Sequence, residues 1–305
     1  VSNPINNIIA VTRWQDYLAL CKPKIVSLIV FTAVVGMFMA TPGMVPVSAL
    51  VFGTIGIALA AASAAAVNHV VDHKIDSIMA RTMRRPLPKG NVTLQNAVLF
   101  AFVLGALSMV ILTWFVNVLT AVLTAVSLIG YGFIYSMYLK RATPQNIVIG
   151  GAAGAAPPVL GWTAVTGTLD PHSLLLFLII FAWTPPHFWA LAIYRWKDYQ
   201  SVDIPMLPVT HGTEFTRLHI LLYTIVLFIV TILPFVTYMS GPVYLVGAVM
   251  LGGGFLYYAI RMQFDKSGRL AMQTFSYSIV YLMALFALLL VDHYIPAALK
   301  LFNAG

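Results

Sequence analysis

The chain has 305 residues, 60% hydrophobic and 9% charged, with a formal net charge of +8. A soluble domain carries about 25% charged residues, so this chain lacks the polar surface to remain in water and reads as one helical membrane bundle rather than two soluble domains. The single cysteine, Cys21, excludes an internal disulfide and a cysteine-based metal site, and the basic excess lies between apolar runs, where membrane topology accounts for it better than nucleic-acid binding does.

A membrane-crossing helix needs about 20 mostly apolar residues. The first segment, 1–24, holds Arg13, Asp16 and Lys22-Pro23-Lys24 and does not resemble a cleavable signal peptide. Nine apolar runs follow, at roughly 25–41, 47–67, 94–114, 118–138, 146–166, 172–192, 218–238, 243–261 and 272–292, and a tail follows at 294–305. Asn117 marks the turn after the third run and Ser240-Gly241-Pro242 the turn after the seventh. Pro157-Pro158 inside the fifth run predicts a kink or break, tolerable where neighbours re-satisfy the backbone. The expected architecture is all-α: a polytopic bundle of nine transmembrane helices making one domain, 25–293.

Cytoplasmic connectors are rich in Lys and Arg. With the N-terminus inside, all of the 17 basic residues except Lys300 fall on the cytoplasmic side, Lys266 included. That orientation gives two long cytoplasmic connectors, 68–93 and 193–217, and long connectors in compact bundles are usually functional.

The first connector opens with Asn68, Asp72 and Asp76, spaced four apart and so stacked on one helix face. Three oxygen-bearing side chains at a membrane boundary suit Mg²⁺, which prefers oxygen ligands and is often shared with substrate phosphates; a polar cap on a helix leaving the membrane is the plainer alternative. Arg81, Arg84, Arg85 and Lys89 follow. Guanidinium groups hold phosphate oxygens bidentately, yet any cytoplasmic connector is basic, and the same two readings apply to Lys140 and Arg141. In the second connector Tyr194 and Asp198 are again four apart, with Lys197 between them and Asp203 five further on. His187, in Pro185-Pro186-His187-Phe188-Trp189, reads either as a packed core histidine or as a contact to a macrocycle. The seven histidines form no zinc motif.

Asn68-x3-Asp72-x3-Asp76 followed by Arg81-Thr82-x2-Arg85-Pro86-Leu87 resembles the first Asp-rich motif of the UbiA-type intramembrane prenyltransferases. Three further stretches resemble the haem-farnesylating branch of that superfamily: 139–151, Pro186-His187-Phe188-Trp189-Ala190-Leu191, and Lys197-Asp198-Tyr199-x3-Asp203-Ile204-Pro205-Met206-Leu207-Pro208. The likeness covers about 20–290. It departs from the superfamily pattern where Tyr194 takes the first place of the second Asp pair.

The resemblance implies that farnesyl diphosphate loses diphosphate with Mg²⁺ assistance, that a vinyl group of haem b, a substrate rather than a cofactor, captures the allylic cation, and that water completes the hydroxyethylfarnesyl substituent of haem O. It implies Asn68, Asp72, Asp76 and Asp198 as metal ligands, and Arg81, Arg85, Lys140 and Arg141 as diphosphate contacts. Tyr194, Lys197 and Asp203 would complete the second cluster, with His187 against haem. A bacterial inner membrane, a cytoplasm-facing site, and delivery to a haem A synthase or a terminal oxidase in assembly follow from the same resemblance, with no nucleic-acid partner. The competing readings are a UbiA-type enzyme acting on an aromatic or quinone precursor, and a membrane transporter. Transporters keep ionisable groups near the midplane, whereas here they crowd one face.

Overall fold

The computed structural model describes residues 12–265 and 268–303, side chains beyond residue 295 excepted. The first eleven residues of the expected N-terminal segment, and Lys266, lie outside the described residues, as does the side chain of Lys300.

Two helices, α1 (Trp14–Leu20) and α2 (Pro23–Met39), meet at a 54° bend. Pro23 starts α2, where its missing N–H costs nothing, and Lys22 before it adopts a left-handed φ of 49°. Then come α3 (Ala49–Ile78), α4 (Leu94–Phe115), α5 (Val118–Ala142), α6 (Asn146–Thr166) and α7 (Pro171–Tyr194). Two short helices follow, α8 (Trp196–Gln200) and α9 (Leu207–Thr210), before α10 (Gly212–Val236), α11 (Pro242–Gln263) and α12 (Arg269–Asn303). Among the described residues eight helices are long and apolar enough to cross a membrane, and the bent α1–α2 pair makes a ninth. The bundle is therefore the all-helical architecture the apolar runs predict.

The connectors differ from expectation. Residues 68–78 are not loop: α3 carries its helix through the polar stretch to Ile78, eleven residues beyond the apolar run. Likewise the 193–217 connector is mostly helical, through the end of α7, α8, α9 and the first turn of α10. Hydropathy ends where polar side chains begin, but a helix needs only that those side chains find partners, and in α3 they do. The expected turns and the break hold: Asn117 caps α5 by accepting from Thr120 N–H at 2.8 Å, α11 starts at Pro242, and the hydrogen-bonding pattern of α6 is interrupted at Ala156, just before Pro157-Pro158.

Small residues set the packing, as expected where lipid removes the hydrophobic drive between helices. Ser63 and Ser108 donate across the α3–α4 contact to the carbonyls of Ala101 (2.7 Å) and Gly56 (2.6 Å). A Cβ at Gly36 or Gly161 would collide with the backbone carbonyls of Pro158 or Ala33, so α2 and α6 touch backbone to backbone. That contact holds the second half of α2 against α6. The far half holds the large core of Trp183, Tyr244, Phe255, Tyr281 and Phe286.

Candidate active site

The first cluster is built from four segments. On the last turns of α3, Asn68, Asp72 and Asp76 lie on one stripe and all are buried. From the α1–α2 bend, Lys22 donates to Asn68 Oδ1 at 2.5 Å. From the end of α5, Lys140 donates to Asp72 Oδ2 at 2.6 Å. From the connector after α3, Arg85 donates to Asp76 Oδ2 at 2.6 Å, and Thr82 ties that connector to the Asp76 carbonyl at 3.0 Å. Asn68 Nδ2 completes the lattice, donating to Asp72 Oδ2 at 3.0 Å and to Ser136 Oγ at 3.3 Å. Lys22 and Ser136 are thus members of the site that spacing did not reveal; Lys22 had looked like topological charge.

The wall facing this cluster comes from a stretch of wide π-type turns in α5, Gly130–Leu139. Such turns are frequent at functional sites. Here the wide turn lets Ser136 donate to the Tyr131 carbonyl five residues back at 2.9 Å. It also stacks the Tyr131 and Tyr135 rings at 5.4 Å. A side chain at Gly150 of α6 would strike the Tyr135 ring, so that glycine is what admits it. Tyr131 and Tyr135 also escaped sequence reading, although their four-residue spacing just ahead of Lys140 was a usable signal.

The second cluster is looser. Arg195 and Asp198 are 3.8 Å apart at i,i+3, with side chains 39% and 26% exposed. Tyr194 is exposed, with the Arg195 guanidinium 5.0 Å from its ring centre; Lys197 and Asp203 are exposed too. Tyr199 links this cluster to the first. Burial pushes its hydroxyl up from the usual phenol range, Arg81 pulls it down, Asp198 pushes it up, and Arg195 and Arg85 pull it down again. The phenol therefore stays protonated near neutrality, a donor set between the two clusters.

Other candidates separate from the Asp72 cluster. Arg81 is exposed near Tyr199. Arg141 does not join Lys140 on Asp72 but lines a neighbouring cavity with Asp203. His187 is buried between Trp183 and Phe275, 4.1 and 4.5 Å between ring centres, with Nδ1 2.6 Å from Ser278 Oγ. That is the geometry of a packed core histidine.

The model of the UbiA prenyltransferase family matches residues 29–288, and the protoheme IX farnesyltransferase of Nitrosococcus oceani is 61% identical over 287 residues, 94% of this chain and 96% of that one. The chain belongs to the UbiA prenyltransferase family. Protoheme IX farnesyltransferases of Methylococcus capsulatus (62%, covering 92% of this chain and 95% of that one) and Legionella pneumophila (59%, 92% and 96%) are similar to the same degree. Two solved structures share the fold at 17% identity. A digeranylgeranylglyceryl phosphate synthase has a TM-score of 0.77, over 92% of this chain and 98% of that one. A UbiA homolog from Archaeoglobus fulgidus bound to GPP and Mg²⁺ has a TM-score of 0.61, over 90% and 99%.

In this UbiA-family chain the residues fit a Mg²⁺ ion by their donor chemistry. Asp72 Oδ1 is buried with no hydrogen-bond partner, a costly state for a carboxylate oxygen unless a cation completes it. Asn68 Oδ1 and Asp76 supply further hard oxygens on the same stripe. Among the described residues no three His, Cys, Asp or Glu side chains gather as a metal-holding group, so Asp72, Asp76 and Asp198 do not form one cage. The set matches the usual habit of Mg²⁺, which takes one or two protein carboxylates and completes its shell with water and substrate phosphate.

Proposed function

We infer that the chain transfers a farnesyl group from farnesyl diphosphate to protohaem IX, producing haem O. The observation that carries this reading is the likeness to protoheme IX farnesyltransferases at about 60% identity across more than nine-tenths of both chains. The Asp72 cluster supplies a mechanism consistent with it.

Breaking the allylic C–O bond leaves charge on the diphosphate, and catalysis consists of stabilising that charge more than the ground state. Lys22, Arg85 and Lys140 converge from three segments and are already desolvated, so they act at low dielectric without reorganising. Arg81 and the Tyr199 hydroxyl extend that donor set toward α8. Asn68 and Asp72, with Asp76 beside them, would hold Mg²⁺, which supplies the neutralisation of the leaving group. Asp198 would approach from α8. The stacked Tyr131 and Tyr135 rings offer faces to an allylic cation, a contact worth up to about 2 kcal/mol when desolvated. The farnesyl chain gains about 0.8 kcal/mol per buried CH₂, which suits a site opening on hydrocarbon.

By the positive-inside bias the site faces the cytoplasm, at a bacterial plasma membrane by the organisms of its relatives. The next step would then be a haem A synthase or a terminal oxidase in assembly.

The test is to incubate purified full-length protein with Mg²⁺, farnesyl diphosphate and haem b and to measure haem O by mass spectrometry. The expected product is haem b gaining one farnesyl group and one hydroxyl group, the latter from water with release of a proton. Absence of haem O together with prenylation of an aromatic quinone precursor would replace this reading with the other UbiA chemistry.

A further inference from the structure

One buried polar side chain beside the Asp72 cluster takes no part in its hydrogen-bond lattice. His69 is 2% exposed, and both of its ring nitrogens are buried without a partner. Buried polar side chains are nearly always paired, so an imidazole with neither nitrogen satisfied is a costly arrangement. The donors and acceptors around it are committed elsewhere: Asn68 Nδ2 to Asp72 and Ser136, Lys22 to Asn68, and Arg85 to Asp76. Among the described residues of this cluster, Asp72 Oδ1 is the other buried atom without a partner.

Helix geometry puts that ring on the face of the site. At about 100° per residue, His69 lies about 60° round α3 from Asp72 and about 20° from Asp76. It comes three residues before Asp72, about 4.5 Å back along the helix axis toward the hydrocarbon. The residues one and two turns deeper on the same face are Ala65 and Ala62, both buried. Leu20, two residues before Lys22, and Ala66, three before His69, belong to one buried cluster, which holds the α1–α2 bend beside this turn of α3. His69 therefore stands where the polar cluster gives way to apolar helix.

That depth selects an atom of the substrate. A prenyl diphosphate lies with its phosphates among the cations and its tail toward hydrocarbon, so the oxygen joining the two is the headgroup atom nearest the tail. It is a weak acceptor while esterified and gains negative charge as the allylic C–O bond breaks. We propose that His69 donates an N–H to this bridging oxygen and stabilises it as the diphosphate leaves. The assignment rests on the farnesyl-transfer reading above. An imidazole carries at least one N–H in either tautomer and in either charge state, so the role needs no particular protonation state. No proton is transferred: the diphosphate departs with the electron pair of the C–O bond, and the hydrogen bond strengthens as it does so.

Inorganic diphosphate and farnesyl diphosphate are each titrated, with Mg²⁺ and without haem, into the full chain in nanodiscs. Inorganic diphosphate carries charge on the oxygen that is esterified in the substrate. His69→Leu is expected to weaken inorganic diphosphate about tenfold or more, the scale of one hydrogen bond to a charged acceptor, and farnesyl diphosphate less than about threefold. In turnover the same variant should lower kcat about 10- to 100-fold with KM for farnesyl diphosphate nearly unchanged, the pattern of an interaction made only in the transition state. His69→Gln, which keeps an N–H, should recover part of both. Equal weakening of the two ligands with a lower melting temperature would make His69 a packing residue and overturn the assignment. Native-like binding and turnover in His69→Leu would overturn it too. Should His69→Leu not fold, a folded His69→Gln that retains none of the native preference for inorganic diphosphate overturns it. If the native chain forms haem O while His69→Leu behaves as native, the role of His69 alone fails; if the native chain neither binds diphosphate with Mg²⁺ nor forms haem O, the functional reading fails with it.

Discussion

The two Asp-bearing helix ends look equivalent as sequence and are opposite as structure. At the end of α3, Asp72 is 3% exposed and its partner Lys140 14%, and side chains from four segments interlock around them. At the end of α7, Asp198 meets Arg195 at 3.8 Å from the same local stretch, both substantially exposed. One end is assembled before substrate arrives; the other has its groups nearby but not engaged. A diphosphate bound at the first would draw α8 in through Tyr199, which already feels Arg81, Arg85 and Asp198 together. If α8 closes in that way, a charged leaving group would enter an open half and react away from water.

The largest expected effect separates the halves by activity. Asp72→Asn keeps the shape and the hydrogen bond to Asn68 but removes the charge and the free oxygen. Haem O formation should fall by about 10²–10³-fold or more, the scale of losing one preorganised electrostatic group, with normal insertion and a monodisperse profile. Rates within threefold of the native protein would remove Asp72 from the centre of the site.

Next is Lys140→Met. Breaking a buried ion pair costs about 3–5 kcal/mol because a charge is left stranded. This variant should therefore lose thermal stability as well as activity, and Lys140→Arg should recover part of both. If Lys140→Met melts like the native protein, the α5–α3 contact is not the buried pair seen here.

The same contrast explains what could be read in advance. Apolar runs revealed the spans because lipid demands them, and the i, i+4 spacing of Asn68, Asp72 and Asp76 revealed a shared face because α3 stays helical there. The partners came from elsewhere in the chain. Nothing local in Lys22-Pro23-Lys24 says that Lys22 reaches Asn68, 46 residues on. The Gly130–Leu139 stretch does not announce wide turns that bring Ser136 to Asn68 and stack two tyrosines on one another. In the other direction, Lys140 and Arg141 look like one basic pair, yet they part to different sites because consecutive helical side chains point about 100° apart. Of the two readings open for His187, its packing between Trp183 and Phe275 and its contact with Ser278 support the packed core histidine.

A smaller effect is expected from Asp198→Ala. With no buried partner to strand, folding should be unaffected. If Asp198 helps to hold the metal, activity should drop by about 10-fold or more and recover partly at high Mg²⁺. A Mg²⁺ dependence identical to that of the native protein would deny Asp198 any part in holding the metal.

The smallest effect is the most discriminating for the exposed half. Arg195→Met removes the only ionic partner within 4.0 Å of Asp198 among the described residues. It also removes the cation over the Tyr194 ring. An exposed pair of this kind contributes about 0–1 kcal/mol, so the melting profile should barely move, in contrast to Lys140→Met. Freed from Arg195, Asp198 can turn toward the Asp72 cluster at lower cost, and the half-saturating Mg²⁺ concentration should stay equal or fall. A large loss of stability would mean that the second helix end is preassembled like the first, and the distinction between a formed and a closing half would not survive it.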